Sequence, residues 1–538
     1  MQLSPSAHID TFCRDTLPAA DLWPELTAGP HYPDRLNCAA ALLGDAAADP
    51  DRRCLLAPTE EWTYGQLRQR SHQIAQVLVE DFGLVPGNRV LLRGPNNPWL
   101  VACWFGVIEA GGVAVTTMPM LRAPELSMIA EISRPIVALC DHRFLDDLDA
   151  AGLPGRPTVT YGATGPADLT ARCATRSGRF RAVATAADDV ALIAFTSGTT
   201  GRPKATMHFH RDVLAIADTF SRRVLEPTAA DLFAGTPPIG FTFGLGGSLV
   251  FPLHAGSAVL LLEQTTPAQL ADAVAEHGVT VLFTSPTGYR AMLGAGKAAA
   301  LRGLRCCVSA GEPLPLAVWE DFRAATGLRI IDGIGATEML HVFISAAGDN
   351  IRPGATGRVV PGYQATVLDD VGVPVPDGTP GRLAVKGPTG CRYLADERQR
   401  SYVQAGWNIT GDTYVRDADG YFWYRARSDD MIISSGYNIA GPEVEQALLG
   451  HPDVLECGVV GAPDERRGMV VAAYVVLRDG VAGDGAKAAE LQAFAKQAIA
   501  PYKYPRTVEF LAELPRTATG KLKRYELRHR AASALAGS

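Results

Sequence analysis

Between residues 88 and 331, apolar runs the length of strands alternate with longer stretches of helical periodicity. This constrains the fold more than any other feature of the chain. Val90-Leu-Leu92, Val113-Ala-Val115, Ile136-Val-Ala-Leu139, Val190-Ala-Leu-Ile-Ala-Phe195, Val279-Thr-Val-Leu-Phe283, Leu304-Arg-Cys-Cys-Val308 and Arg329-Ile-Ile331 read as strands. Helices are expected after Tyr64 (Leu67, Ile74 and Leu78 at helical spacing), over 208–220, after Pro286 and over 316–326. Gly111-Gly112 reads as a helix C-terminal cap. The pattern predicts an α/β layer, with an irregular connection over the Ala/Gly/Thr-rich 151–189.

From about Gly354 the texture changes. Ala365-Thr-Val-Leu368 and Arg382-Leu-Ala-Val385, separated by Gly/Pro turns, predict a small antiparallel, barrel-like subdomain with a hairpin at Asp419-Gly420. Past Arg427-Ser-Asp-Asp430 a new βαβ texture begins. A helix starts near Pro442 with Glu443 and Glu445 in its first turn, where the dipole favours acids. Strands over 456–460 and 470–477 and one further helix after 480–487 follow. The expected architecture is a large N-terminal domain, 1–428, of mixed α/β sheets plus the barrel-like subdomain, and a small α+β C-terminal domain, 429–538. At 538 residues the chain is long enough for both.

Charge excludes some partners. A net charge of −7 gives no cationic face for a nucleic acid backbone. The ten cysteines show no C-x-x-C pair or zinc spacing, so free buried thiols and a cytoplasmic setting are expected. Asp10, Arg14 and Asp15 interrupt any export signal. Residues 232–262 lack Asp, Glu, Lys and Arg, but Pro237-Pro238, Gly240, Gly244, Gly246-Gly247 and Pro252 break a membrane span. A buried loop and two short elements beneath a pocket are expected there.

The chemistry-bearing stretches begin with Phe195-Thr-Ser-Gly-Thr-Thr-Gly-Arg-Pro-Lys-Ala-Thr206. Backbone N–H groups, hydroxyls and Lys204 can together receive a phosphate. The motif G-x-x-x-x-G-K-[ST] does not fit, because Arg202-Pro203 follows Gly201 and Ala205 follows Lys204. An ordinary loop between a strand and a helix has the same composition, and both readings stand. Ser309-Ala-Gly-Glu-Pro-Leu314 and Asp332-Gly-Ile-Gly-Ala-Thr-Glu-Met339 end successive strands, where α/β sheets bind ligands. Glu338 suits either Mg²⁺ or helix capping with Thr337. Asp412, expected at a strand end, suits either a ribose diol or a turn cap, and Arg427 either shares its site or forms a surface pair. Lys521 lies in a Gly/Thr turn that in isolation reads as solvated.

Taken together, Thr196-Ser-Gly-Thr-Thr-Gly-Arg-Pro-Lys204, Gly335-Ala-Thr-Glu338, Thr410-Gly-Asp412, Arg427-Ser-Asp429 and Pro515-Arg-Thr-Ala-Thr-Gly-Lys521 resemble the adenylate-forming superfamily of acyl-CoA and aryl-CoA ligases, adenylation domains and luciferases. The resemblance covers essentially the whole chain. Asp332-Gly-Ile-Gly-Ala-Thr-Glu-Met-Leu-His341 and Gly240-Phe-Thr-Phe-Gly-Leu-Gly246 are similar to benzoate-type aryl-CoA ligases. Thr206-Met-His-Phe-His-Arg-Asp212 with Ser6-Ala-His-Ile-Asp-Thr-Phe12 is most similar to 2-aminobenzoate-CoA ligases. Ile334 stands where many members have Tyr, Ala426 precedes the motif Arg, and Ala205 replaces Gly.

The resemblance implies ATP, Mg²⁺ and coenzyme A, a small aromatic acid, no membrane or nucleic acid partner, and allows a homodimer. It implies adenylation of the acid, with pyrophosphate release, and then transfer to CoA. Lys521, Thr337 and Glu338 are the expected catalytic residues, Glu338 holding the metal. Thr196, Ser197, Gly198, Thr199, Thr200, Gly201 and Lys204 would hold phosphates. Gly311, Glu312, Pro313, Asp332, Gly333, Gly335 and Ala336 would surround the nucleotide, and Asp412 and Arg427 would grip ribose. Phe241, Thr242, Phe243, Ala310, Ile334 and His341 would form the aryl pocket. The small domain would rotate about Asp429 and bring the face around Gly436 to the site, opening the CoA path. Alternatives are a benzoate, salicylate or medium-chain acyl-CoA ligase, an adenylation enzyme serving a carrier protein, and a non-catalytic nucleotide-binding protein.

Overall fold

A computed structural model of the chain describes residues 3–536, apart from 28, 45–48, 154, 197–202, 428–429, 435–436, 465–466, 500–502 and 518–519. Two large sheets form the N-terminal domain. In the six-stranded sheet, Thr158–Tyr161, Val137–Asp141, Arg89–Arg93, Val113–Thr117 and Val190–Thr196 run parallel, and Lys204–Phe209 closes the edge antiparallel. The nine-stranded sheet carries Ile330–Gly335, Cys306–Ser309, Val281–Thr284, Leu232–Gly235, Ala258–Leu260 and Arg53–Ala57 as a parallel centre. Antiparallel strands flank it at both ends. One continuous apolar core spans both sheets, from Leu36 to Phe422, because helices such as Pro98–Glu109 are buried on nearly every side.

Local signals explain the elements that hold this frame. Helix Tyr64–Phe82 starts at a reciprocal cap in which Thr63 Oγ1 accepts from Gln66 N and Gln66 Oε1 accepts from Thr63 N. It ends at Gly83, whose φ of 63° suits glycine. Its buried face is Leu67, Ile74 and Leu78, the spacing read from the sequence.

The barrel-like subdomain is a five-stranded antiparallel sheet built on Pro380–Lys386 and Trp407–Arg416, and the hairpin at Asp419-Gly420 joins Trp407–Arg416 to Phe422–Arg427. The C-terminal domain has its own sheet and its own core. Along Gly468–Leu477, Val471, Ala473 and Val475 face helices Gly441–Leu449 and Gly485–Ala498, while Val470, Ala472, Tyr474 and Val476 face helix Arg524–Ala536. That period of two lets one strand serve both layers. The boundary expected at Asp429 lies outside the described residues.

Four expectations change. The helix expected over 208–220 begins only at His210. Residues 204–209 pair with Val190–Thr196 instead, and Asp212 Oδ2 accepts from Phe209 N to start the helix. The connection over 151–189 contains strand Thr158–Tyr161 and helix Leu169–Ala174, which Asp168 caps through Thr170 N. Residues 242–254 form helical turns without interruption, and the widened π turns of Gly246–Val250 immediately precede the turn that holds Pro252. After residue 484 the C-terminal domain has two helices, not one, Gly485–Ala498 and Arg524–Ala536, with strand Thr507–Phe510 between them. Among the described residues, no helix is long and apolar enough to cross a membrane.

Candidate active site

The glycine-rich loop joins two antiparallel strands rather than a strand and a helix, with Thr196 opposite Lys204 in the ladder. Among the described residues, Lys204, at the start of the return strand, brings a cation to this loop. Ser197, Gly198, Thr199, Thr200 and Gly201 lie outside the described residues. Lys204 Nζ stands 5.2 Å from the Tyr393 ring centre and 5.9 Å from that of Tyr402.

Strand Ile330–Gly335 runs into a short turn, Thr337–Met339, and Leu340 reverses the chain at φ 67°. Val342–Ser345 then returns antiparallel. Gly335 permits this close return, because a Cβ there would lie 2.8 Å from the His341 backbone. Thr337 and Glu338 are both buried. His208 Nε2 donates to Thr337 O at 2.8 Å, and Tyr393 Oη donates to Glu338 Oε1 at 2.5 Å. Burial holds the His208 imidazole down at about 4, so it serves as a neutral donor.

Beside this turn lie the residues expected to surround the nucleotide. Gly311 has a φ of 93°, Glu312 Oε1 accepts from Thr287 N at 2.8 Å, and Pro313 completes the bend. Burial pushes the Asp332 carboxyl up to about 7, and its Oδ1 has no hydrogen-bond partner among the described residues. Ser345 Oγ donates to Asp332 O at 2.6 Å and fixes the strand behind it. Gly333 and Ala336 flank that strand end.

Asp412, expected at a strand end, lies inside Trp407–Arg416, directly opposite Arg427. Their atoms meet at 3.2 Å, and Arg427 Nη1 also donates to Thr410 O at 3.3 Å. Gly411, at φ 77°, admits the guanidinium, since a Cβ would stand 3.0 Å from Arg427 Nη2. Burial raises the Asp412 carboxyl, and Arg427 opposes that shift.

Lys521 arrives from the other domain. Its turn closes through Thr517 N donating to Lys521 O and Lys521 N donating to Thr517 Oγ1. The side chain passes Gly311, whose added Cβ would lie 3.7 Å from Lys521 Cε, and Nζ ends 5.2 Å from the Phe241 ring centre. Burial lowers the ammonium pKa and Arg427 adds to the effect, while Asp412, Glu312 and Glu338 work against it. Among the described residues, two ion pairs cross between the domains here, Arg290 to Glu456 and Arg516 to Glu312.

The expected aryl pocket divides. Phe241 is half-buried under Lys521, whereas Phe243 is 7% exposed and packs on Phe283 in the core. Thr242 and Ala310 are buried and Ile334 is half-buried. His341 lies at the far end among Phe220, Phe243, Phe251 and Phe283. Gly246 makes room, because a Cβ there would fall 2.4 Å from the imidazole. Burial drives this imidazole down to about 3 against a weak hydrogen bond to the Phe243 backbone, which leaves the other ring nitrogen as an acceptor.

Asp429 and Gly436 are outside the described residues. Sequence reasoning missed Tyr393, Arg290 and Glu456, which lie in no motif, and it gave His208, inside Thr206–Asp212, no role of its own; only three-dimensional packing gives these residues their partners.

A site divided between a large α/β domain and a lysine-bearing small domain is that of an adenylate-forming enzyme. Residues 44–393 match the AMP-binding enzyme family and residues 443–521 match the AMP-binding enzyme C-terminal domain. The chain belongs to the AMP-binding enzyme family and is an AMP-forming acid–thiol ligase. It is 35% identical to a benzoate–CoA ligase of Thauera aromatica, covering 92% of this chain and 96% of that protein. It is 34% identical to a 4-hydroxybenzoate–CoA/benzoate–CoA ligase of Rhodopseudomonas palustris, over 88% and 89% of the two chains. Among solved structures, the anthranilate CoA ligase AuaEII in complex with anthranoyl-AMP superposes with a TM-score of 0.90 at 32% identity, covering 94% of this chain and 99% of that one.

Proposed function

We propose that this enzyme activates an aromatic carboxylate, 2-aminobenzoate first among them, as an acyl-adenylate and transfers it to coenzyme A. The observation that carries the reading is the half-buried Lys521, whose ammonium rests beside Phe241 within electrostatic reach of Glu338 and Asp412. A cation there meets the acid's carboxylate and the α-phosphate together. It offsets the repulsion between two anions that must come into contact, which is positioning and charge stabilisation rather than nucleophilic catalysis. The substrate carboxylate supplies the nucleophile. Consistent with that, all ten cysteines are free and buried, and His208, His210 and His341 are held neutral by burial. The buried free thiols also suit a reducing, cytoplasmic setting.

Mg²⁺ is implied by the family, and Glu338 fits it. This buried carboxylate has no ion pair among the described residues and one oxygen already oriented by Tyr393. Glu338 would hold the ion, which when bound neutralises phosphate charge. Thr337 would contact the α-phosphate, the 196–204 loop the β- and γ-phosphates, and Asp412 with Arg427 the ribose. Asp332, with its free Oδ1, would accept from the adenine amine.

The aryl acid would lie with its carboxylate toward Lys521 and its ring toward His341. A neutral imidazole has one nitrogen able to accept a hydrogen bond, and an ortho-amino group can supply one. Support for the aminobenzoate choice comes from this acceptor and from the structural likeness to a ligase solved with anthranoyl-AMP. After adenylation the small domain would rotate about Asp429, withdrawing Lys521 and breaking the two interdomain ion pairs. Pyrophosphate release across a panel of aryl and medium-chain acids, with mass detection of the thioester, tests the reading. Preference for a medium-chain acid, or acceptance of a carrier protein but not CoA, would overturn it.

A further inference from the structure

Tyr393 is absent from every motif above, yet it touches both charged groups that flank the phosphate loop. Its side chain is fully buried, on the segment that follows strand Pro380–Lys386. That segment lies along the loop's second strand. Thr206 and Tyr393 form a bridge, Met207 N donates to Arg392 O, and Leu394 N donates to Ala205 O. Tyr393 N donates to Gln399 Oε1 at 2.9 Å, and the ring packs edge-on to Tyr402 with centres 5.8 Å apart. One residue earlier, the wholly buried pair Arg392–Asp212, at 2.8 Å, pins the segment to helix His210–Ile216. The phenol therefore has little freedom to move.

Its two functional contacts leave from different parts of the ring. The hydroxyl donates to Glu338 Oε1 at 2.5 Å, in the short range of hydrogen bonds to a charged acceptor. The π face lies toward Lys204 Nζ, 5.2 Å from the ring centre. The hydroxyl thus occupies one oxygen of Glu338, Oε1, and leaves Oε2 to face elsewhere.

We propose that Tyr393 is a positioning residue that holds the Glu338 carboxylate through its hydroxyl and the Lys204 ammonium over its ring, so that the cation ligand and the phosphate-binding cation keep a set spacing. It touches neither substrate nor metal itself. The inference rests on Glu338 being the divalent-cation ligand, as read above.

The test uses full-length enzyme with ATP and no acid, so that no turnover occurs, and follows Mn²⁺ binding by the loss of the free-ion electron paramagnetic signal. Tyr393→Phe removes only the hydroxyl. It is expected to weaken Mn²⁺ binding about 10–100-fold, the usual cost of losing a partner behind a metal ligand. Glu338→Gln should weaken it at least as much. ATP binding without a divalent ion should be unchanged in Tyr393→Phe and weakened in Tyr393→Leu, which also loses the ring beneath Lys204. In the double variant Glu338→Gln/Tyr393→Phe, the Phe should cost nothing further, because its effect runs through the carboxylate. Wild-type Mn²⁺ binding by Tyr393→Phe while Glu338→Gln is weakened overturns the role of Tyr393. So does an additive loss in the double variant, the result expected if the Phe merely disturbs folding. Wild-type Mn²⁺ binding by Glu338→Gln overturns the cation-ligand reading instead, and this inference falls with it.

Discussion

Glu456→Ala should separate the two half-reactions. Glu456 Oε1 accepts from Arg290 Nη2 across the domain boundary at 2.5 Å, and Oε2 accepts from Arg516 Nη2 at 2.8 Å. That second contact aims Arg516 at Glu312, 3.8 Å away in the N-terminal domain. Removing the carboxylate breaks one interdomain pair outright and releases the other. The side chains are about a quarter exposed, 26% for Arg290 and 22% for Glu456, so each pair contributes only about 0.5–1 kcal/mol. Together the loss is about 1–2 kcal/mol, roughly a 5–30-fold fall in the ratio of closed to open enzyme. Pyrophosphate release in a single turnover should fall by up to that factor. Thioester formation from supplied aryl-AMP should hold or rise, because the proposed rotation breaks these same pairs before that step. Arg290→Ala should produce the larger share of the effect and be non-additive with Glu456→Ala. High salt should produce part of the same loss in the wild type. Equal loss of both half-reactions, or additivity of the pair, would refute the latch.

Four further outcomes follow from the site. Lys521→Ala should cut adenylation by about 10²–10³-fold, as removal of a transition-state charge partner does, and leave transfer from supplied aryl-AMP largely intact. Because burial lowers the Lys521 pKa and the protonated form is the working one, wild-type adenylation should decline with rising pH earlier than an ordinary lysine would impose. His341→Phe keeps the ring and removes the acceptor. The preference for 2-aminobenzoate over benzoate in kcat/KM should shrink by about three- to tenfold, the worth of one hydrogen bond, with benzoate turnover retained. Asp332, raised to about 7, is a full acceptor only above that pH, so ATP binding should strengthen as pH rises through 7. Asp332→Asn should flatten that dependence in a calorimetric titration, and an unchanged profile would remove Asp332 from the adenine site.

The regular elements were legible where the signal is local. Helix Leu316–Thr326 and the hairpin at Asp419-Gly420 were read correctly because periodicity and turn residues act within a few positions. The reading failed where a distant partner decides. Residues 204–209 carry no strong strand signature, and they become a strand because Val190–Thr196 offers an unpaired edge. The helical turns of 242–254 were hidden by their glycines and Pro252, which the surrounding aromatic core tolerates.

The site shows the same division. Each motif could be named from the chain alone, because binding a polyphosphate requires particular residue types at short spacing. What those residues do to one another depended on folding. Lys521 meets Phe241 across 280 positions of sequence only because the small domain's own core carries it there as a unit. His341 is neutral only because four phenylalanine rings exclude water from it. Charge state, burial and partnership are properties of the environment, and a linear sequence specifies that environment only through packing between residues far apart in the chain.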